Sequence, residues 1–302
     1  MISSGWIDVH THFMVPTDRS GIDLSPAREH MDRLRIGANL LSDVSVYDPA
    51  GVRLSNDVGA AAVAGDPTRF GQLAALPLED VEAALEEIER VTKEHRPDGF
   101  ALCATYGGEF LGAERFRPVW RELDRRGATV LVHPNPFTAG ALPLPPPLFE
   151  VAFDTARTAV SLLWSRTLQD HQNVRVIFTH GGGALPALAG RLNLLCEADW
   201  VPHEGVTAEE VRATLRRVYY DTAMSGSASS LAPVLTVTTP DHLVYGSDFG
   251  APCSSFAALQ DNLRDLTSGH VLPADVGEQV GRHARLLFPG LARRMDQRAG
   301  AR

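Results

Sequence analysis

The run Trp6-Ile7-Asp8-Val9-His10-Thr11-His12 opens with residues of strand character and leads straight into two histidines spaced i, i+2. Side chains two apart on an extended segment point to the same side, so both imidazoles can face one metal ion. The same arrangement, an apolar β run with a chemically able residue at its carboxyl end, recurs along the chain. His133 ends Leu131-Val132-His133, His180 ends Phe178-Thr179-His180, and Asp248 follows Tyr245-Gly246-Ser247. Groups far apart in sequence but all at carboxyl ends of strands converge when a parallel sheet closes into a barrel.

Outward from these ends, eight short β runs are legible, at residues 6–9, 38–45, 71–76, 99–102, 129–132, 174–179, 218–220 and 243–245. Segments of helical period alternate with them. Ser25-Pro26 reads as a helix N-cap followed by proline at the first helical position. Val81, Ala84, Leu85, Ile88 and Val91 form an apolar stripe, as do Phe116, Val119, Trp120 and Leu123, and again Leu185, Leu188, Leu192 and Leu195. Eight strand–helix units within 302 residues predict an α/β fold: a single (β/α)8 TIM barrel, one domain spanning residues 1–302. No G-x-G-x-x-G follows the first strand, which argues against a doubly wound nucleotide-binding sheet. The Pro-rich stretch from Pro134 to Pro147 falls after the fifth strand, so it is expected to be a stiff active-site loop, a lid or a pocket wall at the mouth.

Composition narrows the function. A net charge of −9 without a clustered basic stretch excludes a nucleic-acid partner, because phosphate neutralisation needs concentrated positive charge. No stretch approaches about 18 uninterrupted apolar residues, so no membrane partner is expected. The first residues lack the basic start and apolar core of a signal peptide, and a cytoplasmic location is expected. Cys103, Cys196 and Cys253 are too few and scattered for a disulfide framework or a thiolate cluster. Imidazoles and a carboxylate gathered at one mouth instead suit a divalent ion such as zinc, with a coordination position left open for catalysis. The other histidines, His30, His95, His171, His203, His242, His270 and His283, lack that placement and are expected to be ordinary.

The motifs Asp8-Val9-His10-Thr11-His12-Phe13, Val132-His133-Pro134, Thr179-His180-Gly181-Gly182-Gly183-Ala184-Leu185-Pro186 and Gly246-Ser247-Asp248-Phe249 resemble the amidohydrolase superfamily. More narrowly they resemble its decarboxylase branch, which includes aminocarboxymuconate semialdehyde, γ-resorcylate and 6-methylsalicylate decarboxylases. Ala104–Gly112, Phe153-Asp154-Thr155-Ala156-Arg157 and Tyr219-Tyr220-Asp221-Thr222-Ala223 are similar to the 6-methylsalicylate group. The resemblance implies that His10, His12, His133 and Asp248 hold one divalent metal, zinc first and manganese as the alternative, with His180 beside it as an acid or base. It also implies a homodimer or larger homo-oligomer. Lys93 is the single lysine and lies in a helical stretch, so a binuclear centre bridged by a carboxylated lysine on the fourth strand is excluded.

Such a site would take an aromatic carboxylate with an ortho hydroxyl and protonate its ring carbon before carbon dioxide leaves, with Asp248 or His180 as the donor. A salicylate-like or related unsaturated carboxylic acid is therefore the expected small-molecule partner, and a non-oxidative decarboxylase the expected enzyme. The same groups would also serve a mononuclear hydrolase of a lactone, amide or C–C bond; a non-catalytic binding barrel is the third reading. Phe13, Tyr106, Phe137 and Phe249 are candidates to sandwich a ring, along with Met14, Phe149 and Trp164. Arg157 would pair with Asp154 or bind a carboxylate, and Asp221 would orient His180 or another ligand. After Asp248, Phe249-Gly250-Ala251-Pro252-Cys253 departs from the aromatic-Pro pair more common in the decarboxylases, which predicts an altered pocket beside the eighth strand.

Overall fold

Eight short strands, all parallel, pair in chain order: β1 (Ile7–His12), β2 (Ala38–Ser42), β3 (Phe70–Ala75), β4 (Gly99–Cys103), β5 (Thr129–His133), β6 (Arg175–Phe178), β7 (Tyr219–Asp221) and β8 (Leu243–Val244). The computed structural model describes residues 5–15, 22–135, 140, 142–202 and 205–300. Closure of the sheet is irregular. Val9 N donates to Tyr245 O at 2.9 Å, Asp248 N to His10 O at 2.9 Å and His12 N to Phe249 O at 2.7 Å, so the segment after β8 completes the (β/α)8 barrel against β1. The pairing register sets His12 beside Ser42 and His133 beside Cys103, which brings the carboxyl ends to one level.

Helices follow each strand, as the alternation predicts. The helix Val81–Glu94 buries Ala84, Glu87, Ile88 and Val91, and the Asp80 carboxylate caps it by accepting from Ala83 N. Arg117–Arg125 buries Val119, Trp120 and Leu123. Two details differ from the sequence reading. Ser25 is the first residue of its helix rather than the cap; Asp23 Oδ1 accepts from its amide at 2.8 Å. Leu185–Leu195 buries Leu185, Pro186 and Ala189, whereas Leu188 is exposed, because this helix packs against several helices instead of one flat face. A small hairpin, Thr105–Tyr106 with Glu109–Phe110, also interrupts the connection after β4. Gly107 and Gly108 both adopt positive φ at its tip, as a two-residue primed turn requires.

The amino ends of the strands are plugged by the last two helices, Ala274–Leu287 and Pro289–Gly300. Phe288 and Leu291 are fully buried, Thr129 Oγ1 donates to Leu287 O, and Arg294 pairs with Asp98. Trp6 lies flat on Gly281, where any Cβ would come within 1.9 Å of the indole. That end is therefore closed, and an open cavity lies at the carboxyl end. No helix among the described residues is long and apolar enough to cross a membrane.

Candidate metal centre and cavity

At the mouth, β1 carries a register irregularity between Asp8 and Thr11, and its two histidine rings stand edge to face with centroids 4.9 Å apart. Their Nε2 atoms are 3.1 Å apart, and Asp248 Oδ1 lies 3.1 Å from His12 Nε2 and 3.2 Å from His10 Nε2. His133 arrives from β5, so that ligand atoms of His10, His12, His133 and Asp248 all fall within 4.8 Å of one another. The tautomers are set from behind. His10 Nδ1 donates to Asp221 Oδ2 at 2.7 Å, and His133 Nδ1 to Pro134 O at 2.6 Å, which turns both Nε2 atoms inward. Two ring nitrogens 3.1 Å apart beside a carboxylate oxygen match the edge of a tetrahedron with bonds of about 2.0–2.1 Å. The donor set and its spacing fit one divalent ion.

The charges agree with that reading. Burial disfavours a charged His10, but Asp221 and Asp248 outweigh it and push its pKa up to about 10. Burial lowers His12 despite Asp248, and it lowers His133 further, with His12, His10 and His180 adding repulsion. For Asp248 burial works upward, yet His10, His12 and His180 together hold its carboxyl well below the usual carboxylate range. Burial thus favours neutral His12 and His133 beside an ionised Asp248, while His10, held by Asp221 and Asp248, must give up a proton before a cation enters.

His180 stands at the edge of this cluster, its Nε2 3.9 Å from Asp248 Oδ2. Its backbone amide donates to Asp221 Oδ1 at 2.7 Å, so one buried carboxylate holds both the His10 ring and the His180 main chain. Gly246 permits this, since a Cβ there would meet both Asp221 and His10 at 2.9 Å. Six non-glycine residues among those described have positive φ, and they split in two. Arg35, Arg96 and Arg166 sit at helix ends, whereas His180, Met224 and Asp248 all line the cavity. Left-handed backbone at such residues costs about 1–3 kcal/mol each and persists only where the surroundings hold it.

The cavity has a volume of about 750 Å³ and runs from His12, His133, His180 and Asp248 outward to Pro145, Pro147 and Leu148 of the Pro-rich connection. Phe13 and Met14 line it, as do Gly250, Ala251, Pro252 and Cys253 of the segment singled out after β8. Several expected substrate contacts lie elsewhere. The Tyr106 ring is buried and its hydroxyl accepts from Cys103 N at 2.9 Å. Phe249 turns away and stacks on His30 at 4.3 Å. Arg157 is exposed and lies over the Phe153 ring, while Asp154 accepts from Asn135 N at 2.7 Å instead of pairing with it. Phe149 packs on Phe153 and Trp164 on the core. Phe137 lies outside the described residues, as does His203.

Three supporting groups escaped the sequence reading. Ser254 Oγ donates to Asp248 Oδ2 at 3.0 Å. Asp8 Oδ1 accepts from Ser247 N at 3.0 Å and from His10 N at 3.2 Å, tying β1 to the turn that bears Asp248. His30, treated as ordinary, lies 3.6 Å from Asp8 Oδ2 and backs Phe249. Asp8 stands two residues before His10 on the same strand, and that spacing was the available signal; Ser254 and His30 had none.

Fold and site together define a class: a (β/α)8 barrel whose carboxyl mouth gathers three histidines and an aspartate around one point, with a fourth histidine beside it. Residues 7–289 match the model of the Amidohydrolase family, and the chain belongs to that family. It is 32% identical over 324 residues to a 6-methylsalicylic acid decarboxylase of Penicillium expansum, an alignment covering 96% of this chain and 98% of that protein. Among solved structures, an amidohydrolase II superposes with a TM-score of 0.83 at 23% identity, covering 94% of this chain and 99% of the other. A dihydroxybenzoic acid decarboxylase from Polaromonas, crystallised with manganese and 2-nitroresorcinol, gives 0.76 at 20% identity, covering 94% and 97%.

Proposed function

We propose that the protein is a metal-dependent, non-oxidative decarboxylase of a small aromatic carboxylic acid with a hydroxyl ortho to the carboxylate. The observation that carries this reading is the convergence of His10, His12, His133 and Asp248 at the floor of an apolar cavity, with His180 at its side. The full-length similarity to a 6-methylsalicylic acid decarboxylase supports it. His10, His12, His133 and Asp248 would hold one divalent ion, zinc by preference and manganese as the alternative, which would supply positive charge for an anionic substrate.

The chain's own residues do the rest. Asp221 keeps His10 in the tautomer that presents Nε2, and Pro134 O does the same for His133. The apolar walls exclude water from the ring carbon that must be protonated. His180 Nε2, 3.9 Å from Asp248 Oδ2, delivers a proton to the ring carbon bearing the carboxylate and regains one from solvent. The bond to the carboxylate then breaks, its electron pair restores the aromatic ring, and carbon dioxide leaves. One proton is consumed for each carbon dioxide released. We place the enzyme in the cytoplasm as a homo-oligomer.

The test is incubation of metal-loaded protein with hydroxybenzoates, anthranilates and aryl esters or lactones, with products followed by mass spectrometry. Loss of carbon dioxide to the matching phenol is the expected result. Gain of water by an ester or lactone, without decarboxylation of any acid, would replace this reading with that of a hydrolase.

A further inference from the structure

The cavity is larger than the reaction requires. About 750 Å³ equals some 25 waters at ~30 Å³ each, more than twice the non-hydrogen atoms of a hydroxybenzoate with one methyl group. Its chemistry is uneven. Ionisable groups cluster at the floor, and serines 225, 229 and 230 occupy one wall. Asp43 also faces the cavity, but its oxygens already accept from Ser45 N, Ser45 Oγ and Ser55 Oγ. The wall made by the connection after β5 and the helix Glu150–Trp164 presents Pro145, Pro147, Leu148 and Val151. No lysine or arginine lines the cavity among the described residues. At the rim, Leu148 is 72% exposed and Met14 67% exposed, although both line the cavity. Bare apolar surface at the mouth of a pocket marks a place where an apolar ligand group ends.

From these observations we infer that the site takes ortho-hydroxybenzoates carrying an apolar substituent longer than methyl, its chain lying along the Pro145–Val151 wall toward Leu148 and Met14. The inference rests on the decarboxylase reading and specifies its substrate. A second carboxylate in place of the chain would be desolvated with no cation beside it among the described residues, so dicarboxylic analogues are poor substrates. Each methylene moved from water to this wall raises binding about three- to fourfold.

Two series test this on the metal-loaded, full-length protein. In the first, 3-alkylphenols from methyl to heptyl, the products the reaction would release, are titrated calorimetrically. In the second, the corresponding 6-alkylsalicylates are assayed for carbon dioxide release, alongside a salicylate with a second carboxylate. Affinity and kcat/KM are expected to rise about three- to fourfold per methylene until the chain reaches the rim. Leu148→Asp, at an exposed position where folding is not at stake, is expected to flatten both series at the longer members. Decarboxylation independent of chain length, or a slope unchanged by Leu148→Asp, would overturn the apolar subsite while leaving a decarboxylase. Rising phenol affinity without carbon dioxide from any acid would instead overturn the decarboxylase and leave the subsite standing.

Discussion

At the amino ends of the strands, Trp6 rests on Gly281 and donates its Nε1 hydrogen to Glu278 O, and Phe288 and Leu291 fill the space beneath the sheet. At the carboxyl ends, three residues sit in left-handed backbone, four imidazoles crowd one aspartate, and a cavity remains open. Both ends are made by the same eight strands. The difference lies in what each end does with its packing: one closes apolar surface, and the other holds polar groups and unfavourable backbone around an open cavity. Stability and chemistry are thereby assigned to opposite faces, and a substitution should report which face it belongs to.

The sharpest test removes a ligand. His10→Ala should lose stoichiometric metal and all measurable decarboxylation, read by metal analysis and product assay; full metal content would remove His10 from the centre. His180→Ala comes next. It should keep its metal but slow turnover by about 10²- to 10⁴-fold, the range for removing a proton donor. A loss of metal in that variant would move His180 from donor to ligand.

Proton linkage gives a smaller effect with a definite sign. In the metal-free protein His10 titrates at about 10, so its ring is protonated at neutral pH. Metal binding needs the Nε2 lone pair and must expel that proton. Affinity is therefore expected to rise with pH, by close to tenfold per unit below about 10, through this group. Calorimetry at pH 7 in buffers of different protonation heat should show about one proton released; uptake of a proton would contradict the assignment.

The opposite face should answer differently. Gly281→Ala forces a methyl group into the Trp6 ring and should cost about 1–3 kcal/mol of stability, seen as a lower Tm. Metal content and kcat of the folded fraction should stay at the parent level. The smallest effect is expected at Arg157, which is exposed over Phe153. Arg157→Ala should change KM less than about twofold, and a large rise would return it to the substrate site.

Much of this was legible because each candidate ligand ends a β run. The alternation of strand and helix patterns carried the barrel, and barrel geometry carried the convergence of His10, His133, His180 and Asp248. Asp221 was legible for the same reason, at the end of β7. Tyr106, Phe249 and Arg157 misled because they also lie near strand ends or in mouth loops, yet proximity along the chain does not fix where a side chain turns. Tyr106 is drawn down by Cys103 N, and Phe249 is drawn outward by His30, a residue more than two hundred positions away.

The amino-acid sequence by itself determined the repeating unit, the absence of a lysine from the fourth strand, and which residue types stand at the carboxyl ends, because period and position are local properties. Only the tertiary structure decided that Asp221 serves His10 and His180 at once, that Asp8 ties β1 to the Asp248 turn, and that the pocket wall is apolar and without cations among the described residues. Those are contacts between segments distant in sequence, and they exist only after the barrel has closed.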